Sequence, residues 1–372
     1  MNCQIEPKDV QAMESCNILQ QTSYWANVKD QQGIDPYAFD YIITDDLINP
    51  HAEGNKRIND DILVLVRHID NNFCYAYIPY GPKDEPSFEN HGLFMEELAE
   101  VLRPALPSNC FMIRFDLPWE NQWAVEKEYF DSKGNWKGPP PMNSQEFRIN
   151  FNTRTWNLHK SHTDVLPVNT IFQDLKQDEE TLLRKMKPKT RYNIRLALRK
   201  GIRIREYGPD KLDEWYHLYK ETAARNNIIL HGKKYFEKVM AADVNNDPSV
   251  RRSLLMADHE GDYLAAMFLV LSKKRGTYLY GASSGRKRNL MATYALQWEA
   301  IRLAKEAGCS EYDMFGSAPN SYSNHPMHGL YRFKSGFGGH LFHRMGCWDY
   351  PLKENEYKAF RAKEINVAFH LG

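Results

Sequence analysis

Two stretches of this chain run through the same order of elements, and that order restricts the fold more than any other feature. In the first, residues 23–29 carry a short helix signal. Residues 62–68 (ILVLVRH) and 73–78 (FCYAYI) flank the turn residues Asp70, Asn71 and Asn72 and read as a hairpin. Residues 93–102 (LFMEELAEVL) have helical spacing, and 111–115 read as a strand that ends at Asp116. Residues 134–141 (GNWKGPPP) give the strongest loop signal. In the second stretch, 170–175 read as a strand, and 178–186 and 189–200 as helices, the latter stopped by Gly201. A strand at 202–207, an amphipathic helix at 211–226 and a three-strand run (253–257, 263–272, 276–282) follow. A helix at 289–307, ended by Gly308, leads to a strand at 311–315. Helices, a meander, a helix and a closing strand, twice over, predict a duplicated α/β unit, although the residues themselves show no repeat. The length of 372 residues has room for two domains.

Composition removes several alternatives. Hydrophobic residues at 42% and charged ones at 26% describe a globular chain. The longest apolar run is the nine residues 263–271, far short of the about 20 that a membrane helix needs. The N-terminal MNCQIEPKDV lacks a basic region followed by an apolar run, so no secretory signal is expected there. The six cysteines are dispersed without a CxxC pair, which points to reduced thiols in a cytoplasmic protein. Lys plus Arg and Asp plus Glu are both 48, a net charge of zero, so anion binding must come from local clustering.

Such a cluster exists. Residues 184–205, RKMKPKTRYNIRLALRKGIRIR, hold ten Lys or Arg and no acid. Arg191, Arg195 and Arg199 recur every four residues on one helical face, and Lys187 and Lys189 precede them. Ile194, Ala197 and Leu198 fall on another face and can pack inward. A solvated basic face is the ordinary meaning of a charge run, but such faces intersperse Glu to form i,i+4 pairs. Ten uncompensated cations favour phosphate or nucleic acid, and with no base-reading signature, contact to the nucleic-acid backbone is expected.

The sequence excludes several catalytic templates. GxSxG, GxxxxGK[ST] and HExxH are absent. His325 and His328 (HPMH) have no Cys, His or Asp cluster beside them in sequence, so a polar loop is expected and no metal. In residues 329–339, GLYRFKSGFGG, aromatic residues flank Lys334 and three glycines follow. A lysine beside apolar rings is partly desolvated and strengthened toward an oxyanion or phosphate; a β-hairpin with an exposed Lys is the alternative. Residues 281–290, GASSGRKRNL, form a strand-to-helix loop with three cations, placed where a phosphate can be cradled. An acetyl-CoA enzyme would carry Q/R-x-x-G-x-G/A there; RKRNLMA has no glycine at those places.

Six segments, in order, resemble the FemABX peptidoglycan aminoacyltransferases: 21–29 (QTSYWANVK), 112–118 (MIRFDLP), 182–201 (LLRKMKPKTRYNIRLALRKG), 278–283 (YLYGAS), 298–316 (WEAIRLAKEAGCSEYDMFG) and 329–339. The resemblance spans roughly residues 20–346 and is similar to the compact members without a helical arm. It implies an α/β (α+β mixed-sheet) fold of two tandem GNAT-like acyltransferase domains. The first would comprise residues 1–160, completed by 346–372, and bind the precursor; the second, 161–345, would take tRNA and transfer the acyl group. It implies transfer of an amino acid from aminoacyl-tRNA to an amine on the stem peptide of a peptidoglycan precursor, UDP-MurNAc-pentapeptide or lipid II. No cofactor is implied, and peripheral membrane contact stays open. Residue by residue, it places Lys29 and Arg225 (in Ala224-Arg225-Asn226-Asn227) on a diphosphate, with Trp25 and Phe333 at the substrate. Lys334 would be the catalytic lysine, Tyr280 the active-site tyrosine and Asp116 the acidic residue.

The chemistry agrees with that reading. Aminoacyl-tRNA is an activated ester, so no ATP site is needed. Lys334, held between Phe333 and Phe337, would stabilise the oxyanion; Asp116 or a substrate phosphate would take the amine proton; Asp313 would order a loop. Arg191, Arg195, Arg199, Lys187 and Lys189 would hold the tRNA. Two other readings compete: an N-acyltransferase of the same fold using acyl-CoA, and a non-catalytic RNA-binding protein.

Overall fold

The computed structural model describes residues 3–44, 57–226, 230–242 and 249–371, with the side chains of 57–58 and 366–371 not described. Asn227, the last residue of the RNN motif, therefore lies outside the described residues. The chain divides into two compact units: Met1–Glu14, Gln20–Val168 and His343–Gly372 form the first, Ser15–Leu19 and Asn169–Phe342 the second.

The first unit carries strands β1 (Cys3–Lys8), β2 (Asp35–Thr44), β3 (Arg57–His68), β4 (Cys74–Ile78), β5 (Cys110–Glu120) and the short β6 (His159–Lys160). β1 to β4 pair antiparallel in sequence order. The helix His91–Leu102 then crosses over, burying Phe94, Met95, Leu98, Ala99 and Leu102, and β5 returns parallel to β4. A parallel pair needs such a crossover because a tight turn can only reverse the chain. β13 (His340–Pro351), assigned to this unit from His343 onward, pairs antiparallel with β5 and β6.

The second unit holds β7 (Asn169–Asp174), β8 (Arg203–Tyr207), β9 (Val250–His259), β10 (Asp262–Ser272), β11 (Arg275–Ser283) and β12 (Glu311–Asp313). Here β8 to β11 are the antiparallel run, the helix Ala292–Glu306 is the crossover, and β12 lies parallel to β11. β7 closes antiparallel on β12. The expected duplication is thus present in topology: an antiparallel run, a crossover helix, a parallel strand and an antiparallel closing strand, in each of two GNAT-like units. The closing strand precedes the run in the second unit and comes from the C-terminal part of the chain in the first.

Two features set up the site. β11 and β12 are paired only over Arg275–Thr277 and Glu311–Asp313, so the two strands part beyond Thr277. A bulge lies in the same stretch: Leu269 faces Tyr278 and Phe268 faces Tyr280, so one residue of β11, Leu279, has no partner. Leu269 and Tyr278 belong to the core under the helix Ala292–Glu306. Tyr280 instead packs its ring edge-on against Phe236 and Phe268, and Trp215 of the helix Leu212–Asn226 packs against the same two rings.

The segment 329–339 is not a hairpin. It is the short helix His328–Lys334, one tight turn over Ser335–Phe337, and a left-handed Gly338 at φ +88°. A side chain at Gly338 would meet the Lys185 carbonyl oxygen at 2.7 Å, so the close approach requires glycine.

Candidate active site

Lys334 ends its helix and is buried, 3% exposed. Its Nζ donates to the carbonyl oxygens of Phe315 and Gly316, each at 2.7 Å. It also stands 5.0 Å from the centre of the Tyr278 ring. The ammonium therefore sits where β11 and β12 part, bonded to the arm that follows β12 and resting on a ring from β11. The expected ring contacts are corrected by this geometry: Phe333 and Phe337 pack on each other and on Tyr294, and Tyr278 faces the amine. Gly281 makes room, because a Cβ there would collide with the Tyr278 hydroxyl.

The carbonyls that hold Lys334 are aimed by local structure. Phe315 is left-handed at φ +55°, and its amide donates to Asp313 Oδ1 at 2.7 Å. Asp313 also accepts from the Thr170 hydroxyl. Asp313 thus orders the turn that carries both acceptors. Burial lowers the Lys334 pKa to about 7, and the nearby Asp313 carboxylate only partly opposes it. Two of the three ammonium protons are taken by carbonyls; the third has no oxygen or nitrogen acceptor among the described residues.

Tyr280 is on the other side of the bulge. Its hydroxyl meets that of Tyr235, whose ring stacks on His231 at 4.5 Å. The structure therefore gives Tyr280 to one aromatic cluster and Lys334 to another, joined by three residues of one strand. Arg225, on the helix Leu212–Asn226, donates to the Ser283 carbonyl at 3.0 Å and the Ser283 hydroxyl at 2.9 Å, so it braces the end of β11.

The loop 281–290 turns inward on its own acids. Glu221 accepts from the Gly285 amide and the Ser284 hydroxyl, and Arg286 and Lys287 pair with Asp262. A carboxylate thus occupies the Gly285 amide, which is not left open to an anion.

On the helix Pro188–Arg199, Arg195 and Arg199 are exposed, as are Lys187 and Lys189. Arg191 differs: its guanidinium turns back to the carbonyls of Leu183, Arg184 and Met186, capping the helix Glu179–Lys185. Leu198, expected to pack inward, is 50% exposed, because Ile194 and Ala197 already fill the core-facing stripe.

In the first unit Asp116 is fully buried. Its Oδ2 accepts from the Tyr77 hydroxyl at 2.8 Å and the Leu166 amide at 3.1 Å, while Oδ1 has no hydrogen-bond partner among the described residues. Burial raises its pKa to about 6. Lys29 closes the helix Ser23–Asp30, whose Thr22 cap accepts from the Trp25 amide. Its Nζ lies 4.7 Å from the centre of the buried Trp25 ring and 3.1 Å from Gln32 Oε1. Burial, and then the charge of Arg67, lower the Lys29 pKa to about 8.

Sequence reasoning missed Tyr278, Tyr235, Phe315 and Arg67. Arg67 stood in plain view as a cation ending the strand ILVLVRH; the other three depend on a bulge and a left-handed turn, which leave no signal in residue type. Among the described residues no group of three or more His, Cys, Asp or Glu is placed to hold a metal, and no helix is long and apolar enough to cross a membrane.

A mixed-sheet protein of two GNAT-like domains, with a buried lysine at the parting strands of the second, is the class that fold and site define. The chain belongs to the FemAB family, whose model matches residues 9–243 and 251–364. The lipid II:glycine glycyltransferase of Staphylococcus saprophyticus is 22% identical over 252 residues, which is 52% of this chain and 61% of that protein. The enzyme of the same name from Staphylococcus aureus (strain USA300) is 22% identical over 257 residues, again 52% and 61%. The match thus spans about 61% of the length of these relatives. The crystal structure of FemX has the same fold, with a TM-score of 0.70 and 17% identity over 95% of this chain and 96% of that one.

Proposed function

We propose that this chain is a transferase that moves an amino acid from aminoacyl-tRNA to an amine of the stem peptide of a peptidoglycan precursor, UDP-MurNAc-pentapeptide or lipid II, in the cytoplasm. The observation that carries the reading is the Lys334 ammonium, buried and clasped by two carbonyls at the parting of β11 and β12. Family membership and the named activity of the glycyltransferase relatives support it.

In the proposed reaction the amine nitrogen attacks the ester carbonyl carbon. Lys334 donates its remaining N–H to the oxygen as negative charge develops, inside a site where water does not screen it. The C–N bond forms, the ester C–O bond breaks, and the terminal ribose hydroxyl of the tRNA leaves with a proton. A pKa near 7 suits Lys334 to a donor's role at neutral pH better than an ordinary lysine. The amine proton passes to Asp116 or to a substrate phosphate. Lys29, Trp25 and Arg225 bind the precursor diphosphate, and Phe333 and Tyr280 position the substrate. Arg195, Arg199, Lys187 and Lys189 hold the tRNA backbone.

The test is incubation with charged total tRNA and either precursor, followed by mass measurement. The expected product is the precursor heavier by one aminoacyl residue. Transfer from acyl-CoA but not from charged tRNA overturns the proposal, as does a wild-type protein that binds RNA but transfers nothing from charged tRNA.

A further inference from the structure

The helix Met142–Asn150 and the loop after it show three large rings to solvent. Phe147 is 61% exposed, Phe151 65% and Trp156 49%. They form one patch: Phe147 lies 6.5 Å from Phe151 and 5.6 Å from Trp156 between ring centres. Scattered exposed hydrophobics are ordinary, but a contiguous aromatic patch marks an interaction site.

The surrounding structure holds this patch in place. Trp156 is left-handed at φ +54°, a conformation a tryptophan adopts only when its surroundings impose it. The buried Glu96 accepts from the amides of Arg154 at 2.7 Å and Thr155 at 2.8 Å. Asn150 bonds both ways with Leu158, and the Thr153 hydroxyl donates to the Asn150 carbonyl. Buried polar groups thus fix the loop on both sides of an exposed tryptophan.

Charge selects the partner. Between 142 and 156 the acid is Glu146, and it turns away to the Lys160 amide and Arg361. Arg148 and Arg154 stay exposed beside the rings, Arg148 with its guanidinium 4.8 Å from the Phe88 ring and Arg154 paired with Glu97 at 2.8 Å. Aromatic rings edged by arginines suit the headgroup layer of an anionic bilayer, where Trp and Phe bury their rings and Arg meets lipid phosphate.

We propose that Phe147, Phe151 and Trp156 dock the first unit on an anionic lipid surface. This does not rest on the aminoacyl-transfer reading, and its test needs no substrate. The full chain is floated with vesicles of phosphatidylcholine alone and of phosphatidylcholine with phosphatidylglycerol. Binding to the anionic vesicles is expected, with a loss of about tenfold or more in the Phe147→Ser, Phe151→Ser, Trp156→Asn variant. Arg148→Glu should weaken binding to the anionic vesicles alone. Trp156 is the one exposed tryptophan of the eight, so lipids with brominated chains should quench part of the wild-type fluorescence, a readout that needs no variant. Wild-type protein that stays unbound at both compositions overturns the proposal. So does equal binding by a folded triple variant, or a dimer in light scattering that the variant dissolves while no vesicle binding is seen.

Discussion

Tyr278 and Tyr280 lie two residues apart on β11, yet their rings are on opposite faces of the sheet, because the bulge at Leu279 shifts the register between them. Regular alternation would put both on one face. The shift gives Tyr278 to Lys334 and Tyr280 to Tyr235, so the two ring clusters meet the strand from opposite sides where β11 and β12 part.

Lys334→Ala should lower kcat by about 10²–10³-fold while tRNA affinity is kept, since removing a donor aimed at an oxyanion costs roughly that much. Lys334→Arg should fail to rescue. A guanidinium neither fits two carbonyls 2.7 Å from one nitrogen nor has a pKa that burial brings near neutrality. Steady-state kinetics beside filter binding of tRNA decides the point; loss of both together would assign Lys334 a structural role.

The pH profile follows from two opposite shifts. Asp116, raised to about 6, must be ionised to accept a proton, so rate falls as pH drops below about 6. Lys334, lowered to about 7, must be protonated to donate, so rate falls as pH rises above about 7. The expected curve is a narrow bell between them. Asp116→Asn should remove the acid limb and leave the alkaline one; an unchanged acid limb would assign the proton to a substrate phosphate.

Lys29, lowered to about 8 by burial and Arg67, loses its charge above that pH. KM for the precursor should therefore climb above pH 8 with kcat little changed. Lys29→Ala should raise that KM by about tenfold at pH 7, the cost of one charge-assisted hydrogen bond. Flat KM across pH 7–9 would take the diphosphate elsewhere.

Much of this was legible in the residues. The order of elements gave the duplicated unit, and GLYRFKSGFGG marked Lys334 as unusual before its burial was known. What was hidden depends on distant chain or on backbone detail. The pairing of β13 with β5, which sets residues 344–351 against 112–120, is announced by nothing local; only the family resemblance had placed residues 346–372 with the first domain. The ring facing Lys334 was misassigned because the helix His328–Lys334 turns Phe333 and Phe337 away, toward Tyr294. The exposed rings of Phe147, Phe151 and Trp156 went unread because three aromatics near a proline-rich loop look like core.

The basic helix separates two jobs that sequence spacing had merged. Arg191, Arg195 and Arg199 share a period of four, but Arg191 caps the preceding helix through three carbonyls, and Arg195 and Arg199 remain in solvent. Replacing Arg195 and Arg199 with Gln should weaken tRNA binding and reduce the slope of log K against log salt by roughly 1 per lost phosphate contact. Melting temperature should barely move, because both side chains are exposed. Arg191→Gln should do the reverse. Leaving helix-end carbonyls without a donor costs about 1–2 kcal/mol, so the melting temperature falls while the salt slope stays near that of the wild type. Salt titrations of tRNA binding, paired with thermal melts of the same three variants, separate the roles. A salt slope that drops for Arg191→Gln as much as for the outward pair would return Arg191 to the nucleic-acid face.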